Sequence, residues 1–436
     1  MYRVYIETLG CSKNQIDSEK LLSILEDNDY EPINNPEEAE IIIVNTCGFI
    51  NEAKEEAINL ILEFSEYKKS CNCKILVAAG CLVQRYYNKI KNDFPEVDLF
   101  FGIFDLTKIV DAIKSGKRIY IPTNVEDTYF KRHLTGYPGT AYLKISDGCN
   151  NRCSYCAIPF IRGGLKSRPI NSIIKEIDFL KTKNVKEYIL VAQDTTSYGL
   201  DININLINLL ESTDPILPNE SWLRIIYMHP DNLTDKIIEA LKKSSHFIPY
   251  FDIPIQSGSD NILKLMGRKN NSSYYLSLID KIKKEFNNPV IRSTFITGFP
   301  NETEKDFADT LNFIEKARID WVGGFTYSKE DGTKSTQFQD NISQKIKSKR
   351  LETLLDLSES INRELMKRFL NTNQKVLIEE KVGEFYIGRF YGQTPEVDGA
   401  TVFNGGNTPL GDFTNINIKK INDKDLFGFE VFPHSK

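Results

Sequence analysis

Residues 141–156 read Ala141-Tyr-Leu-Lys-Ile-Ser146 and then Asp147-Gly-Cys149-Asn-Asn-Arg-Cys153-Ser-Tyr155-Cys156. A short apolar strand runs straight into three cysteines spaced C-x3-C-x2-C. Three thiolates on one loop can bind three irons of a cubane cluster and leave the fourth iron open. Metal-centred catalysis needs such an open position. The amino and carboxylate groups of S-adenosylmethionine can chelate that iron, and an electron from the cluster can then break the sulfonium C–S bond. The competing use is a zinc knuckle, which wants a fourth His or Cys nearby. None occurs in the thirty residues after Cys156. Cys149, Cys153 and Cys156 are therefore expected to hold a catalytic [4Fe-4S] cluster, on a loop that opens a barrel.

Five further strand candidates follow at 187–193, 222–228, 250–256, 290–299 and 321–328, most separated by helical stretches. Six βα units make an open, partial (β/α)6 barrel. Strand, loop and spacing together resemble the radical S-adenosylmethionine superfamily, whose hallmark includes an aromatic residue before the last cysteine, here Tyr155. The resemblance implies that Tyr155 lies near the cofactor adenine. It also implies that the ends of later strands hold the cofactor, through Gln193 and Asp194, Gln256 and Gly298.

Upstream, residues 1–120 alternate buried strands (2–7, 41–45, 75–79, 98–101) with helical patterns, as a doubly wound α/β sheet does. Cys11, Cys47 and Cys81 each follow one of the first three strands, 34 to 36 residues apart. The carboxyl ends of parallel strands form one edge where ligands collect, so the three should meet there. Amides at the following helix starts favour thiolate. A second cluster with three cysteine ligands is the expectation. Cys71 and Cys73 lie in a polar loop before a strand and read as incidental thiols.

Residues 121–139 carry turn residues and read as a linker. The spacing of apolar residues over 346–369 predicts one long amphipathic helix leading out of the barrel. From about Asn371 the chain is Gly-rich and alternating, as in a small antiparallel β-barrel. The expected domains are thus 1–120, 135–367 and 370–436.

Composition narrows the classes. The chain has 436 residues, 41% hydrophobic and 26% charged, with net charge −5, which does not suit a dedicated nucleic-acid binder. No export signal or membrane span is read, so a cytoplasmic enzyme is expected, with no membrane or DNA partner. In that reducing compartment cysteines serve metals or catalysis rather than disulfides.

A three-cysteine flavodoxin-like domain, a radical barrel and a small β-barrel in series resemble the methylthiotransferase family over nearly the whole chain. The last part corresponds to its TRAM domain. Members use two [4Fe-4S] clusters and S-adenosylmethionine to place a methylthio group on an unactivated carbon. One branch modifies adenosine in transfer RNA; another modifies the β-carbon of an aspartate in ribosomal protein S12. Leu9-Gly-Cys11-Ser-Lys13-Asn14, Asn45-Thr-Cys47-Gly-Phe-Ile50, Cys156-Ala-Ile-Pro159, Ala192-Gln-Asp-Thr-Thr196 and Pro395-Glu-Val-Asp-Gly399 resemble the protein-modifying branch. Ile255-Gln-Ser-Gly-Ser259 is closer to the transfer-RNA branch. The last domain, 371–436, carries seven Lys and Arg against nine Asp and Glu, which suits a basic protein partner better than phosphate. The resemblance implies S12 as substrate and a flavodoxin- or ferredoxin-type electron donor. Arg162 and Arg168 are candidates to hold the substrate aspartate.

Overall fold

A computed structural model describes residues 2–123, 127–406 and 408–431. The first sheet holds β1 (Tyr2–Thr8), β2 (Tyr30–Pro32), β3 (Ile41–Thr46), β4 (Ile75–Gly80), β5 (Leu99–Phe101) and β6 (Ile119–Tyr120), in the order β2-β1-β3-β4-β5-β6. Every pairing is parallel. The order reverses between β1 and β3, the flavodoxin-like switch point where ligands bind. Helices α1 (Ser12–Glu26), α2 (Asn51–Ser70) and α3 (Cys81–Ile90) follow β1, β3 and β4. The sequence reading missed β2 and β6. Both are edge strands of two or three residues, and Pro32 ends the first of them, so neither shows an apolar period.

The second sheet is β14-β13-β12-β11-β10-β7, all parallel and not closed. Its strands are β7 (Thr140–Lys144), β10 (Glu187–Val191), β11 (Trp222–Ile225), β12 (Phe247–Asp252), β13 (Val290–Thr297) and β14 (Trp321–Thr326). A small ribbon of β8 (Ser146–Asp147) and β9 (Lys166–Ser167) lies beside the cysteine loop. Strand residues alternate between two cores, as a pleated sheet requires. Leu143, Leu190, Phe251 and Phe295 pack under the helices, whereas Tyr142, Val191, Tyr250 and Trp321 belong to a second cluster that also holds side chains of the third domain.

The helix Gln344–Met366 does not simply lead out of the barrel. It lies across β14, where a Cβ on Gly324 would sit 2.6 Å from Leu351, and buries Leu354 in the main core. The third sheet closes as β15-β16-β17-β19-β18, from β15 (Asn373–Val382), β16 (Phe385–Phe390), β17 (Thr401–Asn404), β18 (Phe413–Asn422) and β19 (Asp425–Glu430). Four seams are antiparallel and the β17–β19 seam is parallel. This barrel docks at the amino-terminal end of the second sheet. Arg224 joins Glu187 at 2.7 Å and donates to the Tyr391 and Gln393 carbonyls, Arg389 joins the same Glu187 at 2.6 Å, and Trp321 donates to the Gly392 carbonyl. The Pro395–Gly399 stretch is part of the dock: buried Asp398 takes Arg292 at 2.7 Å and the Tyr250 hydroxyl at 2.6 Å.

The expected linker is a strap rather than a loose connection. Asp127 bonds Lys20 at 2.8 Å, and fully buried Arg132 bonds Glu19 and, at 2.9 Å, Glu176. Charges from α1, the strap and the second domain neutralise one another there, so a polar helix can be buried on nearly every side. Residues 124–126 of the expected linker lie outside the described residues.

Candidate active site at the junction of two domains

The loop after β8 is tied down at three points. Cys149 N donates to the Gly163 carbonyl at 3.1 Å, Ser154 N to the Met266 carbonyl at 2.9 Å, and Asn151 Nδ2 to Asp194 at 2.7 Å. Cys149, Cys153 and Cys156 thus share one fixed turn. Burial pushes the Cys149 thiol up to about 11 and Cys156 up to about 12, so neither ionises alone near neutrality. Bound iron takes such a thiol as thiolate outright. Among the described residues no three His, Cys, Asp or Glu side chains converge tightly enough for one metal ion. A cubane spreads its ligands more widely, because each sulfur bonds a different iron.

The expected cofactor contacts separate into different roles. Gln193 donates to Asp147 at 3.2 Å and leaves its buried Oε1 without a partner. That orphan acceptor fits an ammonium group brought by a ligand. Tyr155 packs edge-on against Phe299 and lies beside Arg268. Gln256 is not on its strand: β12 stops at Asp252, and Gln256 bridges to Phe295 with φ +79°, a conformation that costs a non-glycine residue on the order of 1 kcal/mol or more. Asp194 is a correction. Its carboxylate accepts from Asn151, Asn232, Ser197 and both the backbone and hydroxyl of Thr196, which fills its acceptor sites. It positions the cysteine loop and has no oxygen left for a cofactor. Gly298 is glycine for a packing reason: at φ +68° a Cβ would lie 2.2 Å from Lys347 Cγ.

The second triad assembles at the switch point of the first sheet. Cys11 caps α1, Cys47 follows β3 and Cys81 opens α3. Gly10, at φ +94°, lets the first loop close down, since a Cβ there would stand 2.8 Å from Cys47 Cβ. Asn14 ties the loops, donating to the Leu9 and Thr46 carbonyls and accepting from Cys81 Sγ. Burial pushes Cys81 up to about 11. At Cys11 the crowding of neighbouring atoms also opposes ionisation, but Lys13 and Arg162 outweigh it and hold that thiol below its ordinary value. Cys71 and Cys73 precede β4 at the opposite end of the sheet, away from both triads.

The loops that carry the two triads are joined. Arg162, just past the radical-type loop, bonds Asp147 at 2.8 and 2.9 Å, Asn14 at 3.1 Å and Cys81 Sγ at 3.3 Å. Cys81 also shares one buried apolar cluster with Ala157 and Ile161. Arg162 is therefore the bolt between the domains. Arg168 is held by Glu176 at 2.7 Å and by the Lys144 carbonyl. Neither arginine has its charge available for a substrate aspartate, contrary to expectation.

Three family models match the chain in series. The model of the uncharacterized protein family UPF0004 matches residues 3–102, that of the radical SAM superfamily residues 143–314, and that of the TRAM domain residues 372–431. Ribosomal protein uS12 methylthiotransferase RimO of Clostridium botulinum (strain Eklund 17B / Type B) is 42% identical over 437 residues, covering 98% of each chain. The enzyme of the same name from Clostridium perfringens (strain SM101 / Type A) is 40% identical over 435 residues, again 98% of each. The chain belongs to the RimO family. As a RimO-family radical S-adenosylmethionine methylthiotransferase, it is a transferase that works with [4Fe-4S] clusters and S-adenosylmethionine. Among solved structures, the radical S-adenosylmethionine methyltransferase TsrM from Kitasatospora setae aligns with TM-score 0.56 and 14% identity over 74% of this chain and 75% of that one, a likeness of fold.

Some residues of this RimO-family site were not singled out by the sequence. Tyr227 (φ +61°), His229 and Asn232 lie in the loop after β11, and Arg268 follows the helix Asp260–Met266. Burial, then the adjacent Arg268, lowers His229 to about 4, so it is a neutral imidazole accepting from Arg268. The signal available was position alone: Tyr227-Met-His229 directly follows a strand.

Proposed function

We propose that this enzyme adds a methylthio group to the β-carbon of an aspartate in ribosomal protein uS12, in the cytoplasm, with electrons from a flavodoxin- or ferredoxin-type donor. Cys149, Cys153 and Cys156 would hold the cluster that binds S-adenosylmethionine, and Cys11, Cys47 and Cys81 the cluster that carries the sulfur. When bound, these groups supply a 5′-deoxyadenosyl radical that removes hydrogen from an unactivated carbon, and a methylated sulfur to replace it; acid–base side chains cannot do this. The chain's own residues fix where that happens. Gln193 offers its free acceptor to the cofactor ammonium, Tyr155 walls the cofactor pocket, and Asp194 holds Asn151 and with it the cysteine loop. The observation that carries the reading is Arg162, which bonds Cys81 of one triad and Asp147 of the other triad's loop. This join keeps the two cysteine loops together, as a reaction that draws on both clusters requires.

The choice of protein over RNA rests on the named relatives and on the motifs around Cys11 and Cys47. Because Asp398, Glu379 and Arg389 are buried in ion pairs, the barrel's exterior is nearer neutral than its composition, so charge contributes little. The test is side-by-side turnover, at one ionic strength, of a peptide spanning the uS12 target loop and of an anticodon stem-loop. Methylthiolated peptide with untouched RNA is expected. Modified RNA with untouched peptide would move the enzyme to the transfer-RNA branch.

A further inference from the structure

Among the described residues eleven Lys and Arg side chains are buried, and nine of them lie within 4.0 Å of a carboxylate. The exceptions are Arg268 and Lys13. Arg268 is engaged within the second domain by His229, the Pro254 carbonyl at 2.7 Å and Tyr155. Lys13 is different. It stands two residues after Cys11 in the first turn of α1, is 7% exposed, and crosses to the other domain. Its Nζ donates to the Ala192 carbonyl at 3.3 Å and sits 4.2 Å from the centre of the Tyr227 ring.

An ammonium has three donors. A carbonyl takes one and the aromatic face another, so one is left without a partner among the described residues. Asp252, at the end of β12, feels the Lys13 charge but is not within 4.0 Å of it; it accepts from Tyr227 N at 2.9 Å and lies 3.8 Å from Arg292. Tyr227 itself is locked beneath Lys13, its left-handed backbone held by Asp252 on one side and by Thr195 on the other. A cation kept out of water with no carboxylate within 4.0 Å among the described residues, whose charge reaches the Cys11 thiol and Asp252, is a poor arrangement unless an anion joins it. The place is also telling: Lys13 belongs to the sulfur-side triad, and its tip touches Ala192, the neighbour of Gln193 on the cofactor side.

We propose that Lys13 binds the carboxylate of the substrate aspartate and so sets its β-carbon between the two triads. This rests on the assignment of aspartate as the modified residue. Lys13 would then be the residue that distinguishes aspartate from asparagine at the target position.

The test measures binding of two fluorescent uS12-loop peptides, one with the target aspartate and one with asparagine, to anaerobically reconstituted enzyme. Wild type, Lys13→Met and Lys13→Arg are compared, with iron content determined for each. A charge-assisted contact predicts that wild type prefers the aspartate peptide by about tenfold to a hundredfold. Lys13→Met should bring the ratio near one with its irons retained, and Lys13→Arg should restore most of the preference. A Lys13→Met enzyme that discriminates like wild type would overturn the proposal alone. So would one that fails to take up iron, since Lys13 would then serve the cluster. A wild-type enzyme indifferent to the two peptides would bring down the aspartate assignment and Lys13 with it.

Discussion

Replacing Arg162 by Met should loosen the junction without unfolding either domain. The guanidinium makes two bonds to Asp147, one to Asn14 and one to Cys81, with Asp17 at 3.5 Å. Breaking a buried ion pair by removing one partner typically costs about 3–5 kcal/mol. Here the loss is smaller, because Lys144 remains 2.6 Å from Asp17 and 3.4 Å from Asp147 and still neutralises part of the abandoned charge. A cost of about 2–3 kcal/mol follows, which at about 1.4 kcal/mol per decade is roughly a 30- to 150-fold increase in the open junction. Amide hydrogen exchange reads this directly. Protection at Asn14–Asp17 and at Cys81–Val83 should fall by that factor, while amides of β15 and β18 in the docked barrel stay as they were. A change of less than threefold at the junction would refute the role given to Arg162, and equal loss in the barrel would show global unfolding instead.

His229 gives a pH signature. Its folded-state value of about 4 lies below the ordinary 6.5, so its contribution is complete above pH 6.5 and is lost as pH falls towards 4, by on the order of 3 kcal/mol; a denaturation series over that window should fall less steeply for His229→Asn than for wild type. Gly298→Ala should destabilise by about 1–3 kcal/mol, from the left-handed backbone and the overlap with Lys347, measured as a lower denaturation midpoint that a Gly298→Ala, Lys347→Ala double variant partly recovers.

The cysteines were legible because their chemistry is written in spacing: one triad within eight residues, the other at equivalent strand ends, which a parallel sheet brings to one edge. The six-stranded open sheet was legible for the same reason, its strands being long apolar runs. What stayed hidden depends on partners distant in sequence. Arg162 and Arg168 read as free charges near the site until Asp147 and Glu176 are seen beside them. Asp194 sits one residue from Gln193, yet one is saturated with donors and the other keeps an open acceptor, a difference set by Asn151, Asn232 and Ser197. The strap at 127–135 looked like linker because its charges are polar in sequence and paired only in space. Left-handed backbone at Tyr227 and Gln256 has no sequence signature, since neither is Gly, Asn or Asp.

The central claim is that two triads on joined loops divide one reaction, and paired triple variants test it most directly. Cys149, Cys153 and Cys156 are changed together to Ala in one variant, and Cys11, Cys47 and Cys81 in the other. Each variant should retain about four irons against about eight for wild type if both clusters are the four-iron type. Each is then incubated with reductant, S-adenosylmethionine and the uS12 peptide, and 5′-deoxyadenosine and methylthiolated peptide are quantified in the same tube. The account predicts 5′-deoxyadenosine without sulfur transfer when the first-domain triad is lost, and neither product when the second-domain triad is lost. 5′-Deoxyadenosine from the variant lacking Cys149, Cys153 and Cys156, or methylthiolated peptide from the one lacking Cys11, Cys47 and Cys81, would contradict it.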